Sequence, residues 1–90
     1  MNPKEQAILA RDTIDFIRKS FDNAEVLEYL SNAMFSVARI LNDSNTIAWD
    51  DIAGACDQRY YSLNQGNPVP LNTQLLDPIY TKALQIIQSD

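Results

Sequence analysis

The sequence predicts an all-α protein, an antiparallel four-helix bundle in which residues 1–90 form one domain. Apolar residues recur at alternating spacings of three and four, which is the spacing of one face of a helix. Glycine is rare, at 2 of 90 residues, so the chain has few of the positive-φ turns that β-hairpins need. Most breaks between the periodic segments are short, and short connections favour antiparallel neighbouring helices.

The first predicted helix begins at Asn2, which can cap it, with Pro3 in the first helical position and Glu5 three residues after the cap. One face of this helix then carries the apolar stripe Ala7, Ala10, Ile14, Ile17 and Phe21. Charged residues such as Arg18 fall off the stripe, and we expect them to face solvent.

The second helix is predicted to begin at Asp22, because Glu25 follows three residues later as in a capping box. Its main apolar stripe is Val26, Leu30, Ala33, Val37 and Ile40, widened by Leu27, Met34 and Leu41. This wide stripe predicts the most buried helix of the four. Four small polar residues, 42–45, end it because they compete for local backbone hydrogen bonds.

The third helix has two candidate starts. Ile47 and Ile52 are placed for a hydrophobic staple around its first turn, and Thr46 is the competing cap. The stripe that follows is Trp49, Ile52, Cys56, Tyr60 and Leu63. Gly66 is placed just past the C-terminus of this helix. Gly54 lies inside it, at a cost of about 1 kcal/mol relative to Ala, so we expect another helix to approach closely there.

Residues 64–74 form the longest irregular stretch, in which Pro68 and Pro70 favour an extended backbone. The last helix is predicted to begin with Asp77 as its cap and Pro78 in its first position. Its apolar residues are Ile79, Ala83, Ile86 and Ile87, and residues 75–76 are assigned to a short turn before it.

Charge and composition exclude several classes of protein. The chain has 7 basic and 12 acidic residues, a net charge of −5, and both halves are acidic, so it lacks the basic patch that nucleic-acid binding needs. No apolar run has the length of a signal-peptide core or of a membrane span, and the single Cys56 cannot form an internal disulfide. We therefore expect a cytoplasmic protein without nucleic-acid partners.

Residues that could carry chemistry are few. Without His there is neither a Ser-His-Asp triad nor a His-based metal site. Cys56 would need a base beside it to act as a nucleophile, and its place on the apolar stripe favours core packing. Asp50 and Asp51 diverge by about 100° on a helix and are better explained as first-turn charges. We expect a protein that is not an enzyme and has no catalytic residues, metal or cofactor.

A partner-binding surface is predicted instead around the end of the third helix. Tyr61 is rotated off the core stripe, and Arg59 lies near its edge. Arg and Tyr are common at protein interfaces, so we predict that these two residues bind a partner together with Asn67, Val69 and Leu71 of the irregular stretch. In the alternative interpretation, Tyr61 packs under this stretch while Val69 and Leu71 close the end of the bundle.

The segment Val69-Pro70-Leu71, followed by Leu75-Leu76-Asp77-Pro78-Ile79-Tyr80, resembles the immunity proteins of pediocin-like bacteriocins, the enterocin A immunity family. The resemblance implies a helical bundle in the cytosol that protects its producer from a bacteriocin acting through the mannose permease. It further implies that the C-terminal half selects the bacteriocin. In this chain the corresponding residues are 59–61, 67–71 and the exposed parts of the last helix.

Members of that family are often basic, whereas this chain is acidic. We therefore expect a protein partner, such as the permease with bound bacteriocin, and at most peripheral contact with a membrane. We also expect a monomer. The alternative function is a small helical adaptor or regulator, of the antitoxin or secretion-chaperone type, whose bundle edge holds a partner protein.

Overall fold

A computed structural model describes residues 1–42 and 46–89 of the chain. The helices in these ranges are α1 (Pro3–Lys19), α2 (Ala24–Leu41), α3 (Trp49–Asn64) and α4 (Thr73–Gln88). The closest packing joins α2 to α3 and α1 to α4, and α3 also contacts α1 and α4. The predicted fold class, an all-α four-helix bundle, is confirmed.

Polar contacts establish that both closely packed pairs are antiparallel. In the α2–α3 pair, the Asn42 amide donates to a carboxylate oxygen of Asp50 at 2.6 Å, and the Ser31 hydroxyl donates to Asp57 at 3.3 Å. In the α1–α4 pair, Arg18 near the end of α1 pairs with Asp77 in the first half of α4 at 2.6 Å, and the Tyr80 hydroxyl, farther along α4, donates to Asp15, which lies earlier in α1. In each pair, therefore, the end of one helix meets the beginning of the other.

The molecule is elongated. The Cα positions extend over 45 × 23 × 17 Å, whereas the 18 residues of α2 make a helix of about 27 Å. The long dimension of the molecule therefore exceeds the length of α2.

The predicted caps are confirmed for α1 and corrected for α2. The Asn2 carboxamide oxygen accepts the Glu5 backbone N–H at 2.8 Å. In α2 the cap is Asn23, whose side chain accepts from Val26 N–H at 3.2 Å. The prediction of Asp22 was wrong because its carboxylate pairs with Arg59 at 3.1 Å instead. The predicted end of α2 is consistent with Asn42 as its C-cap, while residues 43–45 lie outside the described ranges.

The start of α3 depends on burial instead of a side-chain cap. Its N-cap residue is Ala48, which makes no side-chain capping hydrogen bond. Ile47 and Ile52, the residues predicted to form a hydrophobic staple, are both buried. They flank the first turn at the staple positions, so burial of these two side chains defines where the helix begins.

The end of α3 is closed by a Schellman motif. The N–H of Gly66 donates to the carbonyl of Leu63 at 3.3 Å, and the N–H of Asn67 donates to the carbonyl of Ser62 at 3.2 Å. Gly66 has φ of +72°, a conformation that glycine adopts without the steric cost of a Cβ. The predicted role of Gly66 is confirmed.

The expectation for Gly54 was wrong. A Cβ placed on this residue would have no neighbouring atom of another described segment within 4 Å. No helix approaches closely enough to require glycine, so Gly54 carries its propensity cost without a packing reason in the described structure.

The fourth helix begins earlier than predicted, at Thr73 with Asn72 as its N-cap, so that Pro78 lies inside it. The proline removes one backbone donor from the helix. The earlier start places Leu76 on the same face as Ile79 and Ala83, and all three are buried. Burial of this apolar face therefore outweighs the lost hydrogen bond.

The buried face of α2 is rotated from the predicted stripe. Its buried residues are Leu27, Leu30, Ser31, Met34 and Ala38. Ile40 is 76% exposed, although the stripe placed it in the core. The helix is apolar over more of its circumference than its neighbours can cover. The most enclosed helix is instead α3, which contacts the other three and contains the fully buried Trp49, Ile52 and Cys56.

No helix within residues 1–42 and 46–89 combines the length and the apolar character that crossing a bilayer requires.

Candidate functional site

Arg59 on α3 contacts two other segments of the chain, the α1–α2 turn and the linker after α3. Its side chain is almost completely buried. Nε donates to the carbonyl of Phe21 at 2.8 Å, and Nη1 donates to the carbonyl of Val69 at 2.7 Å. Nη2 pairs with Asp22 at 3.1 Å, and the guanidinium carbon lies 5.4 Å from the centroid of the Phe21 ring. Arg59 therefore fastens the linker, residues 65–72, and the α1–α2 turn to α3.

A second arginine joins α1 to α4 beside it. Arg18 pairs with Asp77 at 2.6 Å, and its guanidinium carbon lies 4.6 Å from the centroid of the Tyr80 ring. The pKa of Tyr80 is raised above its usual value. Desolvation is the largest cause, and a hydrogen bond to Asp15 is the second. The positive charge of Arg18 is balanced by the carboxylate of Asp77, and that of Arg59 by the carboxylate of Asp22.

An open groove of about 500 Å³ lies between these two arginines. We call it the linker groove. Its lining comes from the end of α1, from α3, from the linker and from the start of α4: Arg18, Phe21, Arg59, Pro68, Pro70, Leu71 and Thr73. The lining is mainly apolar, and its charged groups are already paired, so the groove is suited to an apolar side chain of a partner.

The structure places two of the five predicted partner-binding residues in the lining of this groove. Arg59 and Leu71 line it, and Leu71 also packs against the core. Val69 is exposed, but its backbone carbonyl is held by Arg59. Asn67 is exposed and forms part of the Schellman turn. Tyr61 is exposed as expected, and its ring lies 5.3 Å from the ring of Tyr60 between centroids.

Five of the seven groove residues were not among the predicted partner-binding residues: Arg18, Phe21, Pro68, Pro70 and Thr73. Arg18 was assigned to a solvated face and Phe21 to the core stripe, whereas Phe21 lies beyond the end of α1 and is 43% exposed. Pro68 and Pro70 fell within the range 67–71 that the family resemblance implied, but from the residues themselves they were interpreted as a signal for extended backbone. The available signal was the position of Phe21 between Ser20 and Asp22, two polar residues that follow the charged pair Arg18–Lys19, where a helix ends.

The remaining candidate groups offer little chemistry. Cys56 is fully buried, and desolvation together with the charge of Asp57 raises its pKa to about 12. At neutral pH it is therefore a protonated thiol and not a nucleophile. Within the described ranges, no group of three or more acidic or Cys residues is arranged to hold a metal ion.

A second depression, of about 490 Å³, lies against the α1–α2 turn. Most of its lining residues are polar, among them Lys19, Asn23 and Glu25. The backbone donor Val26 N–H at this helix start is already capped by Asn23. The linker groove is therefore the better candidate for binding a partner.

Comparison with protein-family models, with curated proteins and with solved structures finds no match for this chain.

Proposed function

We propose that this chain is a non-enzymatic bacteriocin immunity protein, which acts in the cytoplasm by binding a complex of membrane permease and pediocin-like bacteriocin. The linker groove is the proposed contact surface. The observation that carries the proposal is an apolar groove formed by the same linker that resembles the enterocin A immunity family, at residues 69–71.

The physical support comes from how the groove is held. Arg59 fastens the linker backbone at Val69, so the apolar side chains around it are ordered before a partner arrives. A preordered surface loses less conformational entropy on binding than a free loop does. Arg18 and Arg59 are balanced by carboxylates, which favours a protein partner over the anionic surface of a membrane.

The direct test is expression of the chain in a strain that pediocin-like bacteriocins kill. We expect the lethal concentration of at least one peptide from a panel to rise about tenfold or more. Val69→Asp should remove this protection because it places a charge beside the apolar groove, at a side chain that is 56% exposed and can be changed without loss of folding.

The matched control is Phe35→Asp, at an exposed apolar side chain of α2 that does not line the groove. It should protect as well as the unchanged chain does. Equal killing with and without the chain, across the whole panel, would contradict the immunity function. Protection that survives Val69→Asp would contradict the groove as the contact surface.

The adaptor or regulator function is the second candidate, because an apolar groove of this size would accept a side chain of a cytosolic partner equally well. The two functions differ in what the chain binds. A pull-down in which permease is retained only when bacteriocin is present supports immunity. Retention of a cytosolic protein without bacteriocin, lost in Val69→Asp, supports an adaptor.

A further inference from the structure

The linker groove has two ion pairs at its edge, and in each of them the carboxylate is more exposed than the arginine. The Arg59 side chain is 8% exposed, whereas the Asp22 side chain that pairs with it is 76% exposed. The corresponding values are 37% for Arg18 and 60% for Asp77. A partner that approaches the groove therefore meets the negative member of each pair first.

Both carboxylates lie next to residues that line the groove. Asp22 directly follows Phe21 in the chain, and Asp77 lies about one helical turn after Thr73, on the same side of α4. Phe21 and Thr73 both contribute to the lining. The apolar lining thus has a carboxylate beside it on each of two elements, the α1–α2 turn and α4.

Arg59 is committed to contacts within the chain and offers little to an anion. Its Nε and Nη1 donate to two backbone carbonyls, and its Nη2 pairs with Oδ1 of Asp22. In Asp77 the contact with Arg18 likewise involves Oδ1. Because an ionised carboxylate accepts hydrogen bonds at about four positions on its two oxygens, each carboxylate can bind a further cation without releasing its arginine.

The charge of the whole chain acts in the same direction. Its net charge is −5, which attracts cationic partners over a distance and repels anionic ones. Lys19 is an exposed cation next to Arg18 in the chain, but it lines the neighbouring polar depression together with Asp22 and Glu25. Short-range and long-range electrostatics therefore both favour a positively charged segment at the groove.

We propose that the linker groove binds a cationic segment of a partner protein, in which an apolar side chain enters the groove and Lys or Arg residues beside it pair with Asp22 and Asp77. This inference rests on the groove as the contact surface of the proposed function and adds the chemistry of the partner. Lys and Arg have long apolar stems, so they can follow the groove wall while their charged ends reach the carboxylates. The arrangement disfavours the anionic surface of a membrane as the occupant.

Titration of the full-length chain with pentapeptides capped at both ends tests the sign of the partner's charge. The probes are Lys-Lys-Leu-Lys-Lys, its Gln and Glu counterparts with the same central Leu, and Lys-Lys-Ser-Lys-Lys. Five extended residues span about 17 Å, so the flanking side chains can reach carboxylates on either side of the central one. The NMR chemical shifts of the backbone amides of Phe21, Leu71 and Thr73, which line the groove, report binding there.

The Lys peptide with central Leu should have the lowest dissociation constant of the four. We expect it to lie about fivefold or more below that of the Gln peptide, because two ion pairs are added, and the Glu peptide should bind most weakly of the three with Leu. The central Ser should raise the dissociation constant about fivefold, because the apolar side chain is lost from the groove. An equal or absent response to the Lys and Gln peptides, or tighter binding of the Glu peptide, would overturn the proposal. So would equal binding with Leu and with Ser, since the attraction would then be one of net charge alone.

Two carboxylate variants locate the ion pairs with the peptide. Asp22→Asn and Asp77→Asn should each raise the dissociation constant of the Lys peptide about two- to fivefold, and the dissociation constant of the Gln peptide should change by less than about 1.5-fold. Both side chains are exposed, and Asn keeps the shape of Asp, so the groove itself should be unchanged. An unchanged affinity for the Lys peptide in both variants would overturn the proposed contacts.

The matched control is Asp12→Asn on α1. Asp12 pairs with Arg11 at 3.1 Å, and its side chain has the same 60% exposure as that of Asp77, but Arg11 does not line the groove. This variant should change the dissociation constant of the Lys peptide by less than about 1.5-fold, because an exposed charge outside the contact contributes little. A loss of affinity as large as that in Asp77→Asn would assign the effect to net charge and overturn the proposal.

Failure of this inference is distinguishable from failure of the proposed function. The immunity function is judged by the survival of cells that express the chain, and the cationic partner by peptide binding to the purified chain. Protection of cells without a preference for the Lys peptide would support immunity and overturn the cationic partner. A preference for the Lys peptide without protection would support the cationic partner and contradict immunity.

Discussion

At the scale of single residues, Arg59 links the fold to the candidate site. From its position in the helix it was predicted to lie near the edge of the core stripe and to bind a partner. In the structure the Arg59 side chain is buried in the protein. It donates hydrogen bonds to the backbone carbonyls of Phe21 and Val69, which belong to two other segments of the chain. The helical spacing of apolar residues predicts on which side of α3 Arg59 lies. It does not predict which loop packs against that side.

Replacement of Arg59 by Met should therefore destabilise the protein and loosen the linker. The change keeps much of the side-chain length but removes charge-assisted hydrogen bonds, and the expected loss in the free energy of unfolding is about 2–4 kcal/mol. Chemical denaturation measures this loss. Hydrogen exchange should become faster at residues 67–71, while the centre of α3 stays protected.

Asp22→Asn measures the contribution of the Asp22–Arg59 ion pair to stability, apart from that of the hydrogen bonds that Arg59 donates to backbone carbonyls. Asp22 is 76% exposed, so its pairing with Arg59 should contribute less than about 1 kcal/mol. If Asp22→Asn were as damaging as Arg59→Met, the ion pair, and not the hydrogen bonds to Phe21 and Val69, would be what holds the linker.

At the scale of elements, the helices were predicted well wherever the signal was local. The cap at Asn2 and the stop at Gly66 depend on the backbone within a few residues, and both are confirmed. The starts of α2 and α4 were wrong because a distant contact decided each of them. Asp22 is engaged by Arg59, and burial of Leu76 extends α4 back past Pro78.

The two glycines give an opposite pair of predictions at this scale. Gly54→Ala should raise the free energy of unfolding by about 1 kcal/mol, because it improves helix propensity and the added Cβ has room. Gly66→Ala should lower it by about 1 kcal/mol or more, because the positive φ at this position penalises a Cβ.

Thermal or chemical unfolding of the two variants and of the unchanged chain measures both effects. A loss of stability in Gly54→Ala would mean that some part of the molecule does approach α3 closely at this residue.

At the scale of the whole molecule, α3 connects the two helix pairs. It packs along α2 and contacts both α1 and α4, and it contains the single Trp49, which is fully buried. We therefore expect the chain to unfold as one unit, with Trp49 fluorescence reporting on all four helices.

Leu76→Ala tests this cooperativity. Leu76 lies on α4 and is fully buried, so its truncation should cost about 2–5 kcal/mol. The denaturation midpoints followed by far-UV circular dichroism and by Trp49 fluorescence should fall together. Gln85→Ala, at an exposed residue of the same helix, should change the stability by less than about 0.5 kcal/mol. Midpoints that separate in Leu76→Ala would show that the α1–α4 pair unfolds independently of α2 and α3.

The sequence by itself determined the class of fold, the number of helices and the end of α3, because periodicity, caps and glycine act over a few neighbouring residues. Only the tertiary structure decided which apolar surfaces are covered. In α2 the apolar residues extend around more of the helix than α3 can cover, so packing selected Leu27 and Met34 for the core and left Tyr29 and Ile40 exposed. The linker groove was decided in the same way, because Arg59 meets Phe21 and Val69 only after the chain has folded back on itself.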